Sequence, residues 1–200
     1  LVLVAGGDGD GFSIGGGHVP HAIRRNLDLT YLVMDNQIYG LTKGQLSPTS
    51  NRGTKTASSL YGSIEDPVNP LLYTLAYGAG FVAQGIPGDL DGLAKLIEEA
   101  IRYPGFSFVN IQSPCITYGE ECNQVKAQKA NMKKLSDMGH DPADRMKAME
   151  LAGAYGSELY TGVFYRNPNP GPTYDSYIKG LQSELAPQAR PLDSLLAPVT

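Results

Sequence analysis

Two polar side chains in the first forty residues have the types and the spacing of a metal site. Asp8 lies within Gly7-Asp8-Gly9, and Asn36 follows the aspartate by 28 positions. A small, hard divalent cation prefers oxygen ligands in octahedral geometry and completes its shell with phosphate and water oxygens. Asp8 can supply a carboxylate oxygen, Asn36 an amide oxygen and Ile38 its carbonyl oxygen. The spacing therefore predicts a magnesium ion whose remaining positions a diphosphate can fill.

Other phosphate-binding or metal-binding loops are excluded by single residues. A dinucleotide-binding loop that starts at Gly7 needs a glycine where Phe12 stands. A P-loop needs a glycine before its lysine and a serine or threonine after it, and Lys43 has neither. An EF-hand that starts at Asp8 needs a glutamate where Val19 stands. One alternative stays open, because aspartate and asparagine are also common turn residues.

Two strands must bring these loops together. The apolar runs 1–5 and 30–35 predict buried strands, which end just before the loops 6–11 and 36–45. The segment 13–26 between them predicts a helix, so the two strands are expected to be parallel neighbours. Ligands of such sheets bind at the carboxyl ends of the strands. Both loops are therefore expected at the ligand-binding edge.

The same alternation continues along the chain. Helices are predicted over about 70–79 and 89–103, and strands over 81–84 and 106–111. Strands that alternate with helices indicate an α/β fold with a doubly wound parallel sheet and right-handed crossovers.

The character of the sequence changes after Pro114. The stretches 124–137 and 142–160 look helical, and proline becomes frequent in the last thirty residues. We therefore expect a cofactor-binding domain over residues 1–160 and a C-terminal extension over 161–200 that forms an extended arm.

Composition narrows the class of protein. Hydrophobic residues make up 42% of the 200 residues and charged residues 18%, which is typical of a globular domain. Lys and Arg number 16 against 20 Asp and Glu, and no basic cluster is present, which argues against nucleic acid as a partner. The sequence has no apolar run of membrane-spanning length, so no membrane association is expected.

The start of the chain carries two further expectations. It opens on Leu1-Val2-Leu3-Val4 with no basic segment before the apolar run, so a secretory signal is not expected and we predict a cytoplasmic protein. An apolar strand at the first residue also looks like the continuation of a longer chain, so we expect a segment upstream of residue 1.

Longer runs of sequence carry a family resemblance. Gly7–His18, Arg24–Asn26, Met34–Gln45 and Ser47–Thr49 closely resemble the beta subunits of 2-oxoacid:ferredoxin oxidoreductases, and the resemblance resumes at Ser113–Cys115 and Phe164–Pro168. It spans roughly residues 1–170. Among enzymes that use thiamine diphosphate, the segment 36–45 is specific to this family.

The resemblance implies a thiamine-diphosphate-binding domain and assigns the loops residue by residue. Asp8 and Asn36 are the implied side-chain ligands of Mg²⁺, and Ile38 is the backbone ligand. Lys43 is implied to face the diphosphate or a coenzyme A phosphate, with a solvated loop lysine as the alternative. The full set of implied cofactor-binding residues is Gly7, Asp8, Gly9, Asp10, Asn36, Ile38, Tyr39, Gly40, Leu41, Thr42 and Lys43.

The resemblance also changes the interpretation of the two cysteines. Cys115 and Cys122 are seven positions apart, which fits no zinc motif, and by themselves they indicate two reduced thiols. The family match implies instead that Cys115 is the fourth ligand of a [4Fe-4S] cluster whose other ligands lie upstream of residue 1. Cys122 matches no ligand position.

The histidines do not supply a catalytic base. His18 and His21 are three positions apart on one helical face, and we interpret His18 as a buried, hydrogen-bonded side chain. No glutamate of this chain is well placed to activate the cofactor, so the family resemblance implies that an alpha subunit supplies that group.

The implied reaction is the reversible oxidative decarboxylation of a 2-oxoacid, with coenzyme A accepting the acyl group and ferredoxin the electrons. We expect 2-oxoglutarate in preference to pyruvate. Two alternatives stay open: a non-oxidative thiamine-diphosphate decarboxylase or synthase subunit, which needs no Cys115, and a non-catalytic assembly subunit.

Overall fold

A computed structural model describes residues 1–115, 117–118 and 124–185, and the statements below concern these residues. They form a central sheet of six strands flanked by helices, together with a short hairpin. The strands are β1 (Leu3–Gly7), β2 (Thr30–Asp35), β3 (Ile38–Tyr39), β4 (Gln45–Leu46), β5 (Phe81–Gly85), β6 (Ser107–Gln112), β7 (Lys133–Lys134) and β8 (Tyr160–Arg166).

The helices follow the predicted alternation, with short 3-10 turns at Ile14–Gly17 and Leu135–Met138. They are α1 (Asp8–Phe12), α2 (Val19–Arg24), α3 (Pro70–Tyr77), α4 (Leu90–Arg102), α5 (Gln124–Asn131), α6 (Arg145–Ala152) and α7 (Tyr174–Leu185). Side chains fix three of the helix starts, because Asn69, Asp89 and Asp144 accept hydrogen bonds from amides of the first turns of α3, α4 and α6.

The sheet has the order β1-β2-β6-β5-β8-β7, and the first four strands are parallel. The connections β1 to β2 and β5 to β6 step across the sheet in opposite directions. Right-handed crossovers therefore place α2 and α4 on opposite faces. The two apolar cores agree with this arrangement, since Ile23 of α2 belongs to one and Ala100 of α4 to the other. The predicted doubly wound α/β architecture is confirmed for this part of the sheet.

The strand order reverses between β2 and β6. At such a point the crossovers leave the sheet on opposite sides and open a crevice at the carboxyl ends of the strands. The chain leaves β1, β2 and β6 at Asp8, Asn36 and Ser113, so this crevice receives three of the polar segments selected from the sequence. The predicted parallel pairing of the first two strands is confirmed, with Leu3 opposite Thr30.

Two local expectations near the start of the chain were wrong. The glycine-rich segment 6–11 is not wholly a loop, because α1 begins within it. Asp10 accepts a hydrogen bond from the amide of Gly7 at 3.0 Å, and Phe12 is buried with its ring edge against Phe108. This capping and burial offset the cost of the glycines. The first strand is not buried either, since β1 forms the described edge of the sheet and Leu3 is 51% exposed.

Up to residue 185, the C-terminal region also differs from the expected extended arm, and residues 186–200 of that arm lie outside the described residues. Residues 160–166 form β8, which pairs antiparallel with β5 and buries Phe164, so the sheet continues past the expected boundary at residue 160. The expected helix over 142–160 ends at Ala152. Residues 174–185 form α7, whose first amide donates to the carbonyl of Asn26. This helix was not predicted, because the segment 167–172, which is rich in proline and asparagine, lies directly before it and has no helical pattern.

Among the helices of the described ranges, none combines the length and the apolarity needed to cross a bilayer.

Candidate functional site

Asp8 is the most buried charged group at the carboxyl edge of the sheet, with 1% of its surface exposed. Its Oδ1 accepts a hydrogen bond from the amide of Asn36 at 3.3 Å, and its Oδ2 accepts one from the hydroxyl of Thr49 at 2.6 Å. Within the described part of the chain it has no Lys, Arg or His partner. A buried carboxylate without a counter-charge is costly, so the site favours a cation.

Asn36 and Ile38 meet Asp8 through a tight turn after β2. The Oδ1 of Asn36 accepts a hydrogen bond from the amide of Ile38 at 3.1 Å, as in an Asx turn. Gln37 between them has φ of 60°, a left-handed conformation that is unusual for a residue with a Cβ atom. Hydrogen bonds thus connect the three predicted ligand residues in sequence, from Asp8 to Asn36 and from Asn36 to Ile38. The turn role that stood as the alternative is also present, and the amide oxygen of Asn36 retains a second lone pair for a metal.

Gly9 is held against Tyr39 on the other side of the site. The Tyr39 hydroxyl group donates to the carbonyl of Gly9 at 3.3 Å. A Cβ atom at Gly9 would lie 2.2 Å from the ring of Tyr39, far closer than carbon atoms pack. The second glycine of Gly7-Asp8-Gly9 is therefore required by the contact between α1 and the hairpin.

The segment 40–44 is the tip of the β3–β4 hairpin. Its backbone is closed by a hydrogen bond from the amide of Gly44 to the carbonyl of Tyr39 at 2.8 Å. Leu41, Thr42 and Lys43 are exposed, and the Thr42 hydroxyl group donates to the side chain of Gln45. These three predicted cofactor contacts therefore lie at the exposed end of the hairpin, apart from the buried carboxylate of Asp8.

Residues 47–50 pack against Asp8 and against the turn that follows β2. Thr49 and Ser50 are buried, and the Ser50 hydroxyl group donates to the carbonyl of Gln37 at 2.5 Å. Together with the bond from Thr49 to Asp8, this contact fixes Asp8 and the turn at Gln37 from one segment. Thr49 belongs to the Ser47–Thr49 run that carried the family resemblance, but no role was predicted for it. Ser50 had no sequence signal.

A second buried carboxylate, Asp35, lies directly before Asn36. Its Oδ2 accepts hydrogen bonds from Tyr155 at 2.5 Å and from Asn110 at 3.0 Å, whereas its Oδ1 has no partner among the described residues. Burial raises the pKa of Asp35 to about 6, and the hydrogen bonds from Tyr155 and Asn110 oppose the shift. Burial, followed by the charge of Asp35, raises the pKa of Tyr155 well above its usual value. Sequence reasoning missed both residues.

Cys115 lies after β6, beside the hairpin tip. A Cβ atom at Gly40 would be 3.8 Å from its Sγ, and the Tyr118 amide donates to the same sulfur at 3.4 Å. The described residues contain no group of three or more His, Cys, Asp or Glu side chains that could enclose a metal. Cys115 is the cysteine among the described residues, and Cys122 lies outside them.

The two histidines considered earlier are exposed in the structure. The interpretation of His18 as a buried side chain was wrong, because the short helix α2 directs Val19 and Ile23 into the core and leaves His18 at its N-terminal boundary on the surface.

Comparison with known proteins first defines the class. A family model described as the C-terminal TPP-binding domain of thiamine pyrophosphate enzymes matches residues 1–111. Because this match covers more than half of the chain, the chain belongs to the thiamine pyrophosphate enzymes. A second model, described as the C-terminal part of the pyruvate ferredoxin oxidoreductase beta subunit, matches residues 115–183.

Individual relatives confirm the predicted resemblance to 2-oxoacid:ferredoxin oxidoreductase beta subunits. The chain is 36% identical over 189 residues to such a subunit from a Sulfolobus species, and the match covers 90% of this chain and 61% of that protein. It is 43% identical over 119 residues to the 2-oxoglutarate oxidoreductase subunit KorB of Mycobacterium tuberculosis, covering 60% of this chain and 32% of that protein.

A solved structure agrees with these relatives. It is a 2-oxoglutarate:ferredoxin oxidoreductase from Magnetococcus marinus with 2-oxoglutarate, coenzyme A and succinyl-CoA bound. The TM-score is 0.86 at 45% identity, and the match covers 93% of this chain and 62% of that one. The chain thus spans about three fifths of the length of the first relative and of this structure.

Proposed function

We propose that this chain is the thiamine-diphosphate-binding beta subunit of a 2-oxoacid:ferredoxin oxidoreductase, and that the carboxyl edge of its sheet binds the cofactor through Mg²⁺. The observation that carries the proposal is the buried carboxylate of Asp8. It has no basic partner among the described residues and lies in hydrogen-bond contact with Asn36. Both the family and the beta-subunit relatives agree with this assignment.

Three oxygen ligands fit a magnesium ion. Asp8 supplies a carboxylate oxygen, Asn36 its side-chain oxygen and Ile38 its carbonyl oxygen, and a diphosphate and water complete the shell. The backbone of the glycine-rich turn and of the hairpin faces the phosphates, a role we assign to Gly7, Gly9, Asp10, Tyr39, Gly40, Leu41, Thr42 and Lys43. Backbone amides at the start of α1 suit an anion, because the first turn of a helix leaves its N–H groups without intrahelical acceptors.

The residues of this chain bind and orient the cofactor. When bound, thiamine diphosphate supplies a nucleophilic carbon and an electron sink for the loss of CO₂ from the 2-oxoacid. Asp8 neutralises part of the charge of the metal and fixes its position relative to β2. Tyr39 packs against Gly9 and holds the hairpin to the start of α1. The activating carboxylate and the pyrimidine-binding surface come from the alpha subunit.

The position of Cys115 suits a site of electron transfer next to the cofactor. We propose that this thiolate is one ligand of a [4Fe-4S] cluster, with the other ligands on a segment upstream of residue 1. The proximity of its Sγ to Gly40 supports this role, since the cluster would then lie beside the hairpin that faces the diphosphate. Ferredoxin would accept the electrons, and coenzyme A the acyl group.

The proposed substrate is 2-oxoglutarate rather than pyruvate. The names of the KorB relatives and the ligands of the Magnetococcus marinus enzyme support this preference. The substrate preference can be measured on the assembled enzyme with a panel of 2-oxoacids and a viologen dye as electron acceptor. The highest kcat/KM is expected for 2-oxoglutarate, and a higher value for pyruvate would contradict the choice. Carboxylation of the acyl-CoA product with chemically reduced viologen as the electron donor tests reversibility.

Cofactor binding tests the central assignment. The full-length subunit, assembled with its partner, should bind thiamine diphosphate in the presence of Mg²⁺ and lose it on treatment with a chelator. Absence of binding by the wild-type complex would favour a non-catalytic assembly role. Binding without iron–sulfur absorption would favour a non-oxidative decarboxylase.

A further inference from the structure

The metal-binding turn contains a residue in an unfavourable backbone conformation that other parts of the chain must hold. Gln37 lies between Asn36 and Ile38 and has φ of 60°. Left-handed backbone is disfavoured for residues with a Cβ atom and persists when surrounding contacts fix it. Because this residue connects two of the proposed ligands, its conformation sets the direction in which both oxygens point.

Three contacts hold Gln37. Its Nε2 donates to the hydroxyl oxygen of Tyr155 at 3.4 Å, and its Oε1 accepts from the side chain of Asn51 at 3.3 Å. Its carbonyl oxygen accepts from the Ser50 hydroxyl group at 2.5 Å. The side chain and the backbone of this residue are thus fixed by separate neighbours.

Tyr155 is itself anchored to the strand that leads into the turn. Its hydroxyl group donates to Asp35 at 2.5 Å, and Asp35 also accepts from Asn110 of β6. Tyr155 follows α6, whose last residue, Ala152, accepts a hydrogen bond from Asn69 at 2.7 Å. The tyrosine therefore connects the end of β2, the turn and the α6 layer.

We propose that Tyr155 and Gln37 are positioning residues for the magnesium ligands. They hold the left-handed turn so that the oxygens of Asn36 and Ile38 face the ion already in the absence of cofactor. Neither residue touches the metal in this scheme, and both act through the turn. The inference rests on the proposed magnesium site and adds to it a determinant that lies 118 positions along the chain from the turn.

Three variants of the assembled full-length enzyme test the proposal. Tyr155→Phe removes the hydroxyl group that joins Asp35 to Gln37. Gln37→Asn keeps a residue type that tolerates left-handed backbone but shortens the side chain below the reach of its partners. Tyr160→Phe is the matched control, because the Tyr160 hydroxyl group makes no hydrogen bond within the described residues. The measurements are the Mg²⁺ concentration for half-maximal thiamine diphosphate binding and the melting temperature.

The first two variants should each raise the half-saturating Mg²⁺ concentration about tenfold, the size typical of residues that orient metal ligands. High Mg²⁺ should restore binding and kcat. Gln37→Asn should not lower the melting temperature. A weaker affinity for Mg²⁺ at an unchanged melting temperature is not the result that a purely structural role produces. Unchanged Mg²⁺ dependence in both variants, or an equal loss in Tyr160→Phe, would overturn the inference. Failure of the wild type to bind Mg²⁺ and cofactor would instead overturn the proposed function.

Discussion

The two halves of the candidate site are built differently. The metal half consists of buried side chains that hydrogen-bond to one another, with Asp8 1% exposed and Thr49 fully buried. The hairpin half carries its residues at an exposed tip, where Leu41 is 99% exposed. A preorganised site loses little conformational freedom on binding, whereas an exposed tip must be ordered by its ligand or partner. The affinity for cofactor is therefore expected to reside mainly in the metal half.

The largest effect should follow from Asp8→Ala. This change removes the charged side chain among the proposed ligands, and one unit charge a few ångströms from the ion is worth about 4 kcal/mol at the effective dielectric of a protein, or about a thousandfold in affinity. Mg²⁺-dependent thiamine diphosphate binding, measured by calorimetry, should be lost. The matched control is Asp175→Ala, since Asp175 is exposed and belongs to neither half of the site. Equal binding by Asp8→Ala and the wild type would contradict the claim that the buried half of the site provides most of the affinity for the cofactor.

The second largest effect concerns the pH dependence of stability. The pKa of Asp35 is about 6 in the folded protein against 3.8 for the ordinary carboxyl. Because the folded-state pKa is raised, its stabilising contribution is present below about pH 4 and is lost as the pH rises through about 6. The side chain of the Asp35→Asn variant cannot ionise, so the variant should avoid this loss. At neutral pH its free energy of unfolding should exceed that of the wild type by at most about 3 kcal/mol.

Urea unfolding in Mg²⁺-free buffer measures this difference across the same pH range. An exposed carboxylate such as Asp175 provides the control, and Asp175→Asn should give a stability curve parallel to that of the wild type. A parallel curve for Asp35→Asn as well would show that the buried carboxyl titrates normally.

A smaller effect should separate the two halves directly. Thr49→Val keeps the shape of the buried side chain but removes the 2.6 Å hydrogen bond to Asp8. The half-saturating Mg²⁺ concentration should rise about tenfold. The same substitution at the exposed tip, Thr42→Val, should change it much less. Equal effects of the two variants would contradict the division of the site.

The smallest effect is expected for Lys43→Ala. Lys43 is exposed at the tip, and solvent and salt screen such a charge. The KM for coenzyme A should rise by no more than about threefold, and Lys55→Ala, which removes another exposed lysine, should leave it unchanged. A loss comparable with that of Asp8→Ala would show that the tip is as important as the buried half.

The predictable parts of the site are those in which local pattern and topology agree. Asp8 and Asn36 could be paired from the sequence because each follows an apolar strand and right-handed crossovers make those strands neighbours. The contact from Thr49 to Asp8 spans 41 positions and the contact from Tyr155 to Asp35 spans 120. No periodic pattern marks such pairs, because tertiary packing alone brings them together.

The fold, like the site, could be predicted from the sequence only in part. The alternating strands and helices were predictable to within a few residues, since buried parallel strands are continuous apolar runs. The strand β8 and the helix α7 were missed, because the segment between them is rich in proline and asparagine. The exposure of β1 was missed because its composition is that of a buried strand, whereas its edge position is set by the strand order.

The most direct test is a crystal structure of the assembled full-length enzyme with thiamine diphosphate and Mn²⁺ in place of Mg²⁺. Anomalous scattering identifies the ion independently of the protein. The ion should bond to the carboxylate of Asp8, the side-chain oxygen of Asn36 and the carbonyl of Ile38, at about 2.1 Å. An ion held by other residues, or a diphosphate bound away from this edge of the sheet, would contradict the account.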